Sequence, residues 1–191
     1  MNTLILGGAR SGKSAYSETL ARDSGLQVIY LATASASDAE MARRIAHHQT
    51  RRPAHWQTVE CDLALADPLR QHATANTCLL VDCLTMWLTN LLFAGRGAAQ
   101  AEAGEALDCA LLRGEIDRLL ATLPTLPGEV ILVSNEVGWS IVPANPLARV
   151  FTDEQGRLNQ RVAKVCDDVV LVAAGLPLQL KRTPKEQVFG L

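Results

Sequence analysis

The sequence lacks several features that would each assign it to a particular class of protein. Its five cysteines include no C-x-x-C pair, and an odd number cannot form a complete set of disulfides, so we expect reduced thiols. No run of 18 or more apolar residues could span a bilayer, and no basic-then-apolar leader precedes the first predicted strand. Lysine is scarce, and 18 basic residues oppose 20 acidic ones without any basic block. We therefore expect a cytoplasmic protein with no membrane span and no nucleic-acid partner.

What the sequence has is an alternation of short apolar runs with helical stretches over 191 residues, 48% of them hydrophobic. This pattern predicts one α/β domain over residues 1–181 with a parallel sheet covered on both faces, and a polar, proline-broken tail over 182–191. Residues 95–104 are small and polar, which favours a mobile surface connection. The predicted strands are 3–6, 28–31, 78–81, 130–133 and 169–172, with edge strands at 56–59 and 178–180, and the predicted helices are 13–22, 38–51, 85–93, 105–122 and 147–165.

Residues 7–14 match the spacing G-x-x-x-x-G-K-S and directly follow the apolar run at 4–6. Glycines in such a loop let the backbone curl around an anion, so that N–H groups point inward and the next helix presents its positive end. The lysine reaches the outer phosphates, and the serine supplies a hydroxyl to nucleotide-bound Mg²⁺. The pattern predicts binding of a Mg-nucleoside triphosphate; a glycine-rich turn without ligand is the alternative. The residues concerned are Gly7, Gly8, Ala9, Arg10, Ser11, Gly12, Lys13 and Ser14.

Polar side chains also follow other predicted strands, where ligands collect in open α/β sheets. Asp82 ends the strand at 78–81 and fits a carboxylate that holds Mg²⁺ together with Ser14, although it could instead cap the following helix. Asn135 and Glu136 end the strand at 130–133, and either could contact nucleotide or acceptor, or only shape the next loop. The small residues after the second strand would allow a nucleotide close to the backbone; they are Ala32, Thr33, Ala34 and Ser35.

The predicted helix over 38–51 carries two adjacent histidines in different surroundings. His48 shares the apolar stripe with Ile45, as expected of a packed histidine, whereas His47 projects from a basic face that includes Arg51. Arginines would lower the imidazole pKa and keep it neutral, and neutral imidazole is a competent nucleophile toward phosphorus. A solvated histidine with no role is the alternative reading of His47.

Taken together, these motifs resemble the bifunctional adenosylcobinamide kinase / adenosylcobinamide-phosphate guanylyltransferase family of cobalamin biosynthesis. The resemblance extends over most of the chain up to about residue 181, and several of its segments are not shared by P-loop proteins in general. The linker at 95–104 and the tail after Lys181 match no pattern of the family. The segments that carry the resemblance are 7–14, 44–48, 52–56 with Glu60, 82–92, 133–138, 141–143 and 156–163.

The resemblance implies two reactions on small-molecule substrates, with Mg²⁺ and GTP or ATP as co-substrate. The terminal phosphate of ATP or GTP passes to a hydroxyl of adenosylcobinamide, and GMP then passes from GTP through a guanylyl-histidine to adenosylcobinamide phosphate, giving adenosylcobinamide-GDP. It also implies a recombinase-like P-loop fold and a homo-oligomer, a trimer. The family's nucleophile corresponds to His47. Its nucleotide contacts correspond to residues 7–14, Ala32, Thr33, Ala34, His48, Gln49, Thr50, Arg51, Glu60 and Asp82.

Two other functions are compatible with the phosphate loop. A P-loop small-molecule kinase would transfer only the terminal phosphate, with His47 as a bystander. A nucleotide-dependent switch would hydrolyse nucleotide to exchange partners, without modifying an acceptor. Balanced charge and single-domain size favour the enzyme over the switch.

Overall fold

The computed structural model describes residues 1–34 and 53–183, in which strands and helices alternate. The strands are β1 (Asn2–Gly7), β2 (Gln27–Ala32), β3 (Gln57–Glu60), β4 (Thr77–Asp82), β5 (Glu129–Asn135), β6 (Asp168–Ala173) and β7 (Leu176–Arg182). The helices are α1 (Lys13–Asp23), α2 (Ala66–His72), α3 (Leu84–Ala94), α4 (Gly97–Glu102), α5 (Ala110–Thr122) and α6 (Pro146–Val165), and a 3-10 turn follows α5 at Leu123–Thr125.

The described strands form one sheet in the order β3-β2-β4-β5-β1-β6-β7. All neighbouring strands are parallel except β6 and β7, which are antiparallel. Parallel pairing needs crossover connections that cover both faces of a sheet, which explains why the central strands are continuous apolar runs. The predicted α/β class with a mainly parallel sheet is confirmed. The two short segments predicted at the edges are edge strands, β3 and β7.

Two apolar clusters lie on opposite faces of the sheet because side chains alternate along each strand. Leu79 and Leu132 belong to the larger cluster, which is filled by residues of α3, α5 and α6. Leu80 and Val133 belong to the smaller cluster, against which α1 packs. The helix that follows the phosphate loop therefore lies on the face of the smaller cluster.

Helix α3 packs most of its large apolar side chains into the protein, with one exception. Its side chains Trp87, Leu88, Leu91 and Leu92 are buried, and the indole Nε1 of Trp87 donates a hydrogen bond to Leu63 O at 2.7 Å. Each fully buried side chain of this size contributes about 1.5–3 kcal/mol. Phe93 is 63% exposed and does not share this role.

Two predictions between α3 and α5 are wrong. Residues 95–104, predicted as a mobile surface connection, contain helix α4 instead, in which Gly97, Ala98 and Ala101 are buried. Small residues are needed there for close packing: a Cβ on Gly97 would lie 2.8 Å from Leu92 Cδ2. Small residues indicate tight packing as readily as mobility, and the composition alone did not separate the two.

The helix predicted over 105–122 begins at Ala110 instead. The preceding segment folds back on α4, since Glu105 N donates to Gln100 O and Asp108 N donates to Gln100 Oε1. Gly104, with φ of 72°, provides the left-handed turn that starts this segment. Helix α2 was not predicted.

Some predictions fall on parts of the chain that the structure does not describe. These are the helix over 38–51 and the tail from residue 184 onward. Strand β7 runs to Arg182, the first residue of the predicted tail. Within residues 1–34 and 53–183, no helix combines the length and apolar character needed to cross a bilayer.

Candidate nucleotide-binding site

The phosphate loop connects β1 to α1 and depends on glycine at its two ends. Gly12 has φ of 96° and Arg10 has φ of 57°, both in the left-handed region. A Cβ on Gly7 would lie 2.4 Å from Ser11 Oγ and 2.6 Å from Val172 O. Among the described residues, no side chain caps the N-terminus of α1. The first N–H groups of α1 and its positive end are therefore available to an anion.

The tip of the loop is exposed and its base is buried. Ala9 and Arg10 are exposed at the tip, Gly8 is half-buried, and Ser11 N donates to Gly8 O at 3.3 Å to close the turn. The turn between β6 and β7 supports the loop from behind, because Gly175 N donates to Ser11 O at 2.8 Å. This support joins residues 164 positions apart, and sequence spacing gave no sign of it.

Lys13, the first residue of α1, extends back across the loop. Its Nζ donates to Gly8 O at 3.1 Å. Burial lowers the pKa of Lys13 below its ordinary value, while the nearby groups of Cys83 and Asp82 act in the opposite direction. The ammonium group is thus desolvated at the loop and close to Asp82, where an added phosphate would offset its charge. Ser14 follows it in the first turn of α1 and is half-buried.

Asp82 ends β4 and does not cap the next helix. Helix α3 begins at Leu84 with Cys83 as its N-cap residue, and no side chain caps it in the described structure. Asp82 Oδ2 instead accepts a hydrogen bond from the hydroxyl of Tyr30 at 2.9 Å. The helix-cap alternative is therefore wrong, and the carboxylate stands beside Lys13. Burial, followed by the charge of Asp82, raises the pKa of the Cys83 thiol to about 11, so this neighbour of Asp82 is neutral.

The end of β2 is held by main-chain and hydroxyl contacts to β4. Thr33 is fully buried, and its Oγ1 accepts from Cys83 N at 2.8 Å and donates to Cys83 O at 2.7 Å. Its carbonyl accepts from Asn90 Nδ2 at 2.8 Å. The side chain of Thr33 is thus used inside the protein, which makes it a positioning residue for the strand ends. Ala32 and Ala34 are half-buried beside it.

Glu60 is more distant from the loop along the sheet. It ends edge strand β3, is exposed, and pairs in register with Ala32, which pairs in turn with Asp82. Glu60 therefore lies two strands from Asp82 at the same carboxyl edge. That separation suits a contact with a part of the nucleotide remote from its phosphates.

The structure distinguishes Asn135, the last residue of β5, from Glu136, which follows it, although the sequence pattern treated the two alike. Glu136 Oε1 accepts from Gly138 N at 3.1 Å, so this carboxylate shapes the following loop. Asn135 Oδ1 is buried and has no hydrogen-bond partner in the described part of the chain. Glu136 N donates to Gly7 O at 3.1 Å, which places both residues against the start of the phosphate loop.

The remaining predicted site residues lie outside the described residues. They are His47, His48, Gln49, Thr50 and Arg51, together with Ser35. The structure brings together the phosphate loop, Lys13, Asp82 and Thr33.

A buried polar cluster behind β5 escaped the sequence analysis. It consists of Ser134, Gln155 and Asn159, joined by hydrogen bonds of 2.6–3.0 Å. Gln155 and Asn159 are four positions apart on the buried stripe of α6, so a helical wheel of 147–165 would have shown two amides among its core positions.

The residues proposed to hold Mg²⁺ have suitable chemistry. Ser14 and Asp82 offer a hydroxyl and a carboxylate oxygen, and Mg²⁺ in nucleotide sites takes few protein oxygens, with phosphates and water completing its shell. The residues present therefore fit the ion.

Comparisons with known proteins agree on one family. A family model described as cobinamide kinase / cobinamide phosphate guanyltransferase matches residues 3–180. The bifunctional adenosylcobalamin biosynthesis protein CobP of Pseudomonas aeruginosa is 53% identical over 184 residues, covering 96% of this chain and 99% of that protein. The corresponding CobU protein of Salmonella typhimurium is 44% identical over 183 residues, covering 95% and 100%.

Solved structures share the fold at low sequence identity. A prototypical ATPase from the type III secretion system of pathogenic bacteria matches with TM-score 0.54 and 12% identity, over 93% of this chain and 56% of that one. The ATPase EscN of the enteropathogenic E. coli type III secretion system matches with TM-score 0.53 and 13% identity, over 91% and 43%. These likenesses confirm a P-loop NTPase fold. With the family model spanning nearly the whole sequence and relatives at this identity, the chain belongs to the cobinamide kinase / cobinamide phosphate guanyltransferase family.

Proposed function

We propose that this protein is a bifunctional enzyme of cobalamin biosynthesis that first phosphorylates adenosylcobinamide and then guanylylates the product. The observation that carries the proposal is the convergence of the phosphate loop, Lys13 and Asp82 at the carboxyl edge of the sheet. Family membership supports the substrates, since the matching family model is described as cobinamide kinase / cobinamide phosphate guanyltransferase. The relatives are named as bifunctional adenosylcobalamin biosynthesis proteins.

In the kinase step, the residues of the loop bind the phosphates of ATP or GTP. The N–H groups at the start of α1 and the ammonium of Lys13 compensate charge on the transferred phosphate. Ser14 and Asp82 hold Mg²⁺, which neutralises charge on the phosphate oxygens when bound. A hydroxyl oxygen of adenosylcobinamide bonds to the terminal phosphorus as the bond to the bridging oxygen breaks. The nucleoside diphosphate leaves with the electron pair of that bond, and the hydroxyl proton passes to solvent.

In the guanylyl step, His47 acts as the nucleophile. An imidazole nitrogen bonds to the α-phosphorus of GTP as pyrophosphate leaves with the electron pair of the broken P–O bond. A phosphate oxygen of adenosylcobinamide phosphate then attacks the same phosphorus, and the electron pair of the P–N bond returns to the imidazole. Support for this role comes from the family resemblance and from the basic face that the sequence predicts around His47. His48, Gln49, Thr50, Arg51 and Glu60 complete the nucleotide contacts in this proposal.

The proposal includes a cytoplasmic homo-oligomer, a trimer as in the family. Five free thiols support a reducing compartment. Exposed apolar side chains support subunit contacts, because Leu176, Leu178 and Leu180 occupy alternate positions of β7 and are 54–72% exposed. Light scattering coupled to size exclusion tests the oligomer, and a monomer at working concentration would contradict it.

The test of function uses wild-type protein and His47→Ala with Mg²⁺ and α-³²P GTP, followed by denaturation. We expect acid-labile, base-stable label on the wild type alone, since a phosphoramidate has that stability. In parallel, γ-³²P ATP should label adenosylcobinamide with both proteins. If the wild type is not labelled but still phosphorylates adenosylcobinamide, the protein is a kinase without guanylyl transfer. Nucleotide hydrolysis with no modified acceptor would leave a switch.

A further inference from the structure

Asn135 lies at the carboxyl edge of the sheet, and the proposed function assigns it no role. It belongs to β5, which lies between β4 and β1 in the sheet. Strand β4 ends in Asp82, and strand β1 leads into the phosphate loop. In register Asn135 pairs with Gly7, the first residue of that loop. It therefore stands at the centre of the nucleotide site.

The side chain of Asn135 points to the side of the sheet where α1 lies. Ile131 and Val133 precede it at alternate positions of β5 and belong to the apolar cluster on that face. Ser134 points the other way and bonds to α6 through Asn159. The same alternation puts Asp82 on the α1 side, two positions after Leu80.

The main chain of Asn135 is fixed from three directions. Its N–H donates to Thr85 Oγ1 at 2.9 Å, and its carbonyl accepts from Asn159 Nδ2 at 3.0 Å. The next residue, Glu136, donates its N–H to Gly7 O at 3.1 Å. Contacts from α3, α6 and the phosphate loop thus hold one residue in place, which is the preorganisation that a ligand-binding side chain needs.

The side-chain amide, in contrast, makes no hydrogen bond with the described residues. Oδ1 is buried without a partner, whereas Nδ2 is accessible. A buried oxygen without a donor is unfavourable in a native protein, and such groups commonly mark a functional position. A carboxamide offers an NH₂ group that donates and a carbonyl oxygen that accepts, which suits a phosphate oxygen beside a hydroxyl or a bound water.

We infer that Asn135 is a further nucleotide-contacting residue, whose amide nitrogen donates to the terminal phosphate of the bound nucleoside triphosphate. The inference rests on the proposed function only in requiring a nucleoside triphosphate at the loop. The amide distinguishes triphosphate from diphosphate, because only the triphosphate has an oxygen at this position. In this arrangement Asn135 does not contact the α-phosphorus, at which guanylyl transfer takes place.

The test measures affinity for GTP and for GDP, each with Mg²⁺, by titration calorimetry on the full-length chain. We expect Asn135→Ala to weaken GTP binding about tenfold and to leave GDP binding unchanged, as for loss of one hydrogen bond to a charged group. Asn135→Asp should weaken GTP binding further, because a carboxylate repels the phosphate. Asn145→Ala is the matched control: its Oδ1 is already engaged by Ala148 N at 3.0 Å, and it should leave the GTP-to-GDP affinity ratio unaltered.

Thermal unfolding separates a ligand contact from a structural role. Because the amide of Asn135 has no partner within the described residues, we expect Asn135→Ala to keep the Tm of the wild type. Equal losses of GTP and GDP affinity, an unchanged ratio, or a clear drop in Tm would overturn the inference, as would a wild type that binds no nucleotide. A wild type that shows the expected ratio but modifies no cobinamide would contradict the proposed function alone.

Discussion

The hydroxyl of Tyr30 donates a hydrogen bond of 2.9 Å to Oδ2 of Asp82. Tyr30 is 2% exposed and lies on β2, two positions before Ala32, the register partner of Asp82. The tyrosine thus occupies one carboxylate oxygen, Oδ2, from within the sheet. It is a positioning residue for a group that we propose to hold Mg²⁺.

Tyr30→Phe removes this bond and keeps the ring. A hydrogen bond to a charged group is worth about 1.5–3 kcal/mol, so we expect the apparent affinity for Mg²⁺ to fall about tenfold or more while the KM for adenosylcobinamide stays the same. The measurement is kinase rate against Mg²⁺ concentration. Tyr16→Phe, on α1 beside the same apolar cluster, is the control and should behave as the wild type. A uniform fall in rate at all Mg²⁺ concentrations would contradict a positioning role.

Local patterns predicted the parts of this fold that depend on neighbours in sequence. The phosphate loop and the central strands were identified because glycine spacing and apolar runs report local geometry directly. Asp82 was identified because it directly follows such a run. Its bond to Tyr30 was not, since it depends on the register between β2 and β4.

The parts that were missed depend on contacts distant in sequence. Gly175 supports Ser11 across the sheet, and Gly97 packs against Leu92, yet both glycines look like ordinary turn residues in the sequence. At the end of β5, the side chain of Glu136 accepts a hydrogen bond from Gly138 N, whereas Asn135 Oδ1 has no partner among the described residues. This distinction requires side-chain positions. Sequence spacing located the edge of the site but could not assign roles along it.

Gly12→Ala should damage the phosphate loop, and Gly114→Ala should stabilise the protein. Gly12 has φ of 96°, and a Cβ there would lie 3.0 Å from Gly175 Cα, so we expect a loss of about 1–2 kcal/mol in unfolding free energy together with loss of GTP binding. Gly114 lies on the exposed face of α5, and a Cβ there meets nothing within 4 Å, so alanine should add about 0.5–1 kcal/mol. Urea denaturation measures both. Equal effects of the two substitutions would refute the conformational argument.

Asn159→Ala should be among the costly substitutions in α6. It leaves Ser134 Oγ without its acceptor and removes the donor to Asn135 O; the first contact is buried and the second half-buried. Unsatisfied buried groups cost about 1–3 kcal/mol each, so we expect a loss of about 3 kcal/mol in unfolding free energy. Gln160→Ala, exposed on the same helix, should change it by less than about 0.5 kcal/mol. A loss below about 1 kcal/mol for Asn159→Ala would show that the cluster contributes little.

Lys13→Met should separate binding from stability. Because the ammonium is desolvated at the loop, removing its charge also removes a burial penalty, and the unfolding free energy at pH 7 should stay within about 1 kcal/mol of the wild type or exceed it. GTP affinity should fall at least about a hundredfold, as charge compensation at the phosphates is lost. Titration calorimetry and urea denaturation on the same preparation give the two values. A large fall in stability would mean that the Nζ contact to Gly8 O holds the loop together.

The same pair of proteins gives a pH prediction with a definite sign. The pKa of Lys13 in the folded state lies below its ordinary value of 10.5. At a pH between the folded-state pKa and 10.5, Lys13 has therefore lost a proton in the folded protein that it retains in the unfolded chain. Stability rises with pH wherever the unfolded state binds more protons. The unfolding free energy of the wild type minus that of Lys13→Met should therefore increase as pH rises toward 10.5 and level off above it, since all other titrating groups are common to both. A difference that stays flat or decreases over this range would mean that Lys13 is not desolvated in the folded protein.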